Sequence, residues 1–179
     1  MKKLADVLVN YSCKVEPGER VQIDAFDIPD EMCSVLIETV VEAGGLPFIE
    51  NLHPRVRRTL MKNCSPEQMQ VMCERDLEHM KKMQCYIAVR GGFNNTENSD
   101  IPDDKMKIFK DNYSKAVLDQ RVKHTKWVVL RWPTPSMAQL AGMSTEAFED
   151  MFFDVCTLDY SRMAKAEEVL KERFEMTDK

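Results

Sequence analysis

Apolar positions in this chain recur with two alternating periods, one helical and one of strands. Leu4, Val7, Leu8 and Tyr11 lie at helical spacing, which predicts an amphipathic first helix with one docked face. Glu16-Pro17-Gly18-Glu19 marks a turn, and Val21 to Phe26 then alternates as a strand. Asp27 is placed to cap a helix from about Ile28 to Ala43, which Gly44-Gly45 ends. Leu46 to Leu52 is a second strand, and Pro47 marks its opening or a sheet edge.

The basic segment after His53-Pro54 suggests a short helix. Ser65-Pro66-Glu67-Gln68 has the form of a capping box with proline in the first helical position. The helix it starts carries Met69, Met72, Cys73, Leu77, Met80 and Met83 on one face. Such a methionine stripe serves either as core filler or as an adaptable binding groove, and core filler is the expectation here. Cys85 to Val89 is a third strand, ending in Arg90-Gly91-Gly92 and a long polar loop. A helix from about Asp103 to Val122 precedes the fourth strand, Lys126 to Trp132, whose apolar and β-branched run reads as buried. Pro133 stops that strand, Thr134 and Ser144 are set to cap two short helices, and Gly142 separates them in a left-handed turn. Asp159 and Ser161 open a last helix.

Strand, helix, Gly-Gly and strand within about thirty residues form a βαβ unit. The predicted fold is a single α/β domain over residues 1–179, with a mostly parallel open sheet of about four or more strands flanked by helices on both faces. At 179 residues, 44% hydrophobic and 31% charged, the chain can bury a sizeable core without staples. A net charge of -5 argues against a nucleic-acid surface. No apolar run approaches the roughly 20 residues needed to span a bilayer, and the basic start lacks the apolar core of a signal peptide. Six cysteines without a C-x-x-C pair read as reduced core thiols of a cytoplasmic protein.

The familiar catalytic motifs are missing from the sequence: no H-E-x-x-H, no G-x-S-x-G, no P-loop and no G-x-G-x-x-G. His53, His79 and His124 fall in different elements, and His79 is expected on a solvated helix face. No catalytic residue and no metal ligand is assigned. In a parallel open sheet, ligands bind beyond the carboxyl ends of the strands. The ligand-facing candidates there are Arg90, Asn94, Arg131 and Thr134. Two arginines beside a helix start suit a small anion, and their alternative partners are acids such as Asp27.

Three segments carry a family resemblance: Leu4 to Ile23, Glu42 to Pro47 (E-A-G-G-L-P) and Trp132 to Asp150 (W-P-T-P-S-M-A-Q-L-A-G-M-S-T-E-A-F-E-D). Together they resemble the thermophilic metallo-aminopeptidases of the aminopeptidase T, aminopeptidase S and PepS type. The resemblance implies a cytoplasmic exopeptidase of about twice this length, of which this chain is the N-terminal domain. It also implies two divalent metal ions such as zinc or cobalt, held by a C-terminal catalytic domain with no counterpart in this sequence. The implied partners are a peptide substrate, that catalytic domain and a possible second copy of the chain. On this resemblance the chain alone is expected to be inactive, with a free-standing module for a small anionic ligand as the alternative.

Overall fold

The computed structural model describes residues 1–177. Four strands, β1 (Arg20–Phe26), β2 (Leu46–Leu52), β3 (Cys85–Arg90) and β4 (Lys126–Arg131), form one sheet in the order β2-β1-β3-β4. Every pairing is parallel. Phe26 lies opposite both Leu52 and Arg90, and Arg90 lies opposite Arg131. The carboxyl ends of the four strands are therefore level, and whatever leaves them gathers along one edge.

Helices cover both faces, as the sequence predicts. On the first face, Val21, Ile23, Ile87 and Val89 pack against α1 (Lys2–Asp6, continuing as a π-helical segment Val7–Ser12) and α2 (Asp30–Glu42). Trp132 and Phe153 complete that face, the latter from α8 (Thr145–Cys156). The second face holds α3 (Pro54–Lys62), α4 (Pro66–Met80), α5 (Asp103–Phe109), a π-helical segment Lys110–Ser114 and α6 (Lys115–His124). Met69, Met80 and Met83 are buried there, so the methionine stripe is core. The short α7 (Pro135–Leu140) follows β4, and α9 (Tyr160–Glu175) follows α8.

The chain runs from β1 to β2 through a helix on the first face, then returns across the second face to β3 and on to β4. The winding direction therefore reverses between β1 and β3. That reversal splays the flanking helices apart and opens a crevice at the strand ends.

Three local expectations are corrected. The second helix starts at Asp30 rather than Ile28, because Ile28 precedes Pro29 and a residue before proline is held out of the helical region. Asp27 adopts a left-handed backbone, φ 45°, and its carboxylate meets His53 Nδ1 at 2.7 Å instead of capping. The fourth strand is not buried: it is a sheet edge, with Trp127 and Val129 exposed on the second face.

Of the predicted caps, those at Ser65, Ser144 and Asp159 form, with Asp159 Oδ1 accepting from Ser161 N at 3.1 Å. Ser65 Oγ accepts from Gln68 N at 3.1 Å and Ser144 Oγ from Ala147 N at 3.3 Å. Thr134 occupies the N-cap position of α7, but its Oγ1 sits 3.2 Å from Ser136 Oγ and bonds no backbone amide. Gly142 takes the left-handed turn, φ 68°. All six cysteines are free and five are buried. Burial pushes the Cys13 and Cys85 thiols up to about 12. No helix among the described residues is long and apolar enough to cross a membrane.

Candidate functional site

Level strand ends bring the four predicted ligand-facing residues to one place. Arg90, Asn94, Arg131 and Thr134 line a single cavity of about 220 Å³, together with Gly91, Gly92 and Glu97. Neither arginine has an ion-pair partner among the described residues, since Asp27 is engaged by His53. The Arg90 guanidinium lies 5.7 Å from the Phe26 ring centroid. Asn94 holds its own loop: its Oδ1 accepts from Thr96 N at 3.0 Å and from Thr96 Oγ1 at 2.9 Å. Thr134 is buried, and Ser136 Oγ donates to the Gly92 carbonyl at 3.3 Å, which ties α7 to the loop after β3.

A second constellation lies on the sheet's second face and is not foreseen by the sequence reading. Gln22 and Asp24 of β1 are buried, 2% and 1% exposed, although they stand in the central part of the sheet. Asp24 accepts from Tyr86 Oη at 2.7 Å and from Gln22 Nε2 at 2.9 Å, and pairs with Arg121 at 3.1 Å. Gln22 Oε1 meets His79 Nε2 at 2.7 Å. His79 is thus half-buried and bonded to the sheet, not free on a solvated helix face. Burial and the neighbouring Asp24 carboxylate push the Tyr86 hydroxyl well above the usual tyrosine range, so Tyr86 stays a proton donor.

A cavity of about 350 Å³ opens above this network, with Glu50, Arg75, Asp76 and Tyr113 on its walls. Burial pushes the Tyr113 hydroxyl up to about 12, reinforced by its bond to Asp76 at 2.6 Å. Its carboxylates do not fit a metal ion. Asp24 is committed to Tyr86, Gln22 and Arg121, and Asp76 is committed to Tyr113 and Arg75. Among the described residues no group of three or more His, Cys, Asp or Glu is arranged to hold one.

Of the carboxylates on that cavity, only the Glu50 side chain has no hydrogen-bond or ion-pair partner among the described residues. Desolvation, followed by the Asp24 and Asp76 charges, raises its pKa. A carboxyl with a raised folded-state pKa holds its proton more tightly when folded. Its cost to stability is absent below the unfolded pKa, grows as pH rises toward the folded pKa and stays constant above it. Because Glu50 is exposed and solvent screens much of this cost, Glu50→Gln is expected to raise the urea midpoint only slightly at pH 7 and to leave it unchanged near pH 3.5. An equal shift at both pH values would contradict this account.

The fold and these cavities define a doubly wound α/β domain with open crevices beside its strand ends. The profile of the thermophilic metalloprotease (M29) family matches residues 1–177, and the chain belongs to that family. Among solved structures, wild-type AmpT from Thermus thermophilus superposes with a TM-score of 0.66 at 16% identity. That match covers 87% of this chain but 42% of that one, so the chain spans less than half the length of the Thermus protein. An alcohol dehydrogenase superfamily protein from Novosphingobium aromaticivorans matches at a TM-score of 0.37 and 11% identity, covering 92% of this chain and 49% of that one. A match that loose supports no argument. Among curated proteins none matches the chain.

Proposed function

We propose that this chain acts as the non-catalytic N-terminal domain of a cytoplasmic metal-dependent aminopeptidase. The observation that carries this reading is the pairing of a family match over residues 1–177 with a span of 42% of the Thermus protein. On this reading the two divalent ions implied for the full enzyme belong to a second domain, and so does peptide hydrolysis. The strand-end cavity forms part of the wall of the cleft that a peptide enters. The test is an aminopeptidase assay of the 179-residue chain with aminoacyl substrates and added zinc, cobalt or manganese. No release of amino acids is expected, whereas a chain extended by a complete catalytic domain is expected to be active. Metal-dependent turnover by the 179-residue chain would overturn the proposal.

A second reading, a module that holds a small anion at the strand ends, is favoured by Arg90 and Arg131. Both lack an ion-pair partner among the described residues and line one cavity.

A further inference from the structure

Beside the strand-end cavity, under the second face, lies a larger one of about 470 Å³ with an unusual balance of charge. Its lining contains three arginines, Arg57, Arg90 and Arg121, and no carboxylate. The neighbouring cavities differ: the strand-end one includes Glu97, and the one over the sheet network includes Asp24, Glu50 and Asp76. In a chain of net charge -5, three arginines facing a shared hollow without an acid concentrate positive potential in one place.

Each guanidinium is steadied by an aromatic ring. Arg57 lies 5.2 Å from the Phe109 centroid and 5.8 Å from that of Tyr113, Arg90 lies 5.7 Å from Phe26, and Arg121 lies 4.3 Å from Tyr86. Ring contacts of this kind hold the planar forks in place without using their N–H donors. The Arg57 and Arg90 side chains make no hydrogen bond or ion pair among the described residues. Arg121 is partly used by Asp24, yet its Nε is buried with no partner. Three positive charges less the one matched by Asp24 leave two. The remaining walls set apolar Met61, Val117 and Leu118 beside polar Asn98 and Ser114. The hollow sits at the carboxyl ends of β1 and β3, where the winding of the sheet reverses, and its volume is in the range of small-ligand sites.

We propose that the cavity lined by Arg57, Arg90 and Arg121 binds a small organic dianion, a phosphate monoester or a dicarboxylate carried on an apolar body. Arginine suits both groups because its fork offers paired N–H donors to two oxygens. The proposal goes beyond the peptidase reading. It rests on the anion-module reading only in sharing Arg90, and it adds a separate location and a charge.

The test is calorimetry of the 179-residue chain with phenyl phosphate, phenylsuccinate, benzoate and inorganic phosphate at fixed salt. At least one aromatic dianion is expected to bind about tenfold or more tighter than benzoate, and also tighter than inorganic phosphate. The better of the two dianions identifies the source as phosphate or dicarboxylate. Arg57→Met and Arg90→Met are each expected to weaken that binding by about tenfold or more, and Arg55→Gln, an exposed change outside the cavity, to leave it intact. Leu118→Glu removes no binding group but places a carboxylate in the cavity, and it is expected to weaken the dianion as strongly. Silence from both dianions, or equal loss in Arg55→Gln, overturns the proposal. Loss in Arg131→Gln with Arg57→Met unaffected also overturns it, while leaving the strand-end anion reading standing.

Discussion

Replacing Asp24 by alanine is expected to destabilise the domain by about 3–5 kcal/mol, the usual result of removing one partner of a buried ion pair. Asp24 is 1% exposed and its partner Arg121 has a side chain 20% exposed, so solvent cannot replace the lost carboxylate. Without it, Arg121 is left as an unmatched charge and the Tyr86 hydroxyl loses its acceptor. Gln22 loses a bond as well, although it keeps His79. Since a domain's whole stability is of order 5–15 kcal/mol, the change would lower the urea midpoint by a large fraction of its value. Changing both ends, Asp24→Ala with Arg121→Met, is expected to recover much of the loss, because an apolar pair leaves no orphan charge. A loss below about 1 kcal/mol in the single variant would show that Arg121 finds other partners on relaxation.

Gly91→Ala is expected to cost about 1–3 kcal/mol or more for a different reason, lack of space. A Cβ at position 91 would lie 2.4 Å from the Asp27 carbonyl oxygen and 2.9 Å from that of Phe26. Both are backbone atoms, so no side chain can swing aside. Gly91 N also donates to Phe26 O at 2.7 Å, which pins the two strand ends together. The added methyl must therefore push β1 and β3 apart where they meet the strand-end cavity. Gly92→Ala is the internal control: a Cβ there meets nothing within 4 Å, and the change is expected to stay within about 0.5 kcal/mol. Equal urea midpoints for the two variants would refute the steric account.

The four strands and most helices were legible because their signals are local. Ser65 and Ser144 cap as their sequences suggest, and Gly142 turns left-handed as its position between two helices requires. The order β2-β1-β3-β4 was not legible, since strand pairing joins residues far apart in sequence and nothing in a single strand specifies its neighbours. The edge position of β4 was missed for the same reason: an apolar run tells of burial only when another strand or helix arrives to cover it.

The strand-end candidates were read by rule from the carboxyl ends of predicted strands, and they line one cavity. Asp24, Gln22 and His79 were not, yet a signal existed. In V-Q-I-D-A-F the alternation resembles a strand with one wet face, but a parallel sheet covered on both sides calls for nearly continuous apolar strands. Two polar residues in such a strand imply buried partners. Arg121 and Tyr86 are those partners, and their distance along the chain hid them.

The central place of β1 has a consequence in time. Synthesis delivers β1 before its sheet neighbours, and β2 soon after can pair with one of its edges. The other edge waits for β3: Arg20 bonds to Gln84, 64 residues further on. At about 5–20 residues per second, that edge stays open for roughly 3–13 seconds on a translating ribosome. During that interval Asp24 has neither Tyr86 nor Arg121, so the unfinished sheet carries an unmatched carboxylate until the partners that bury it have been made.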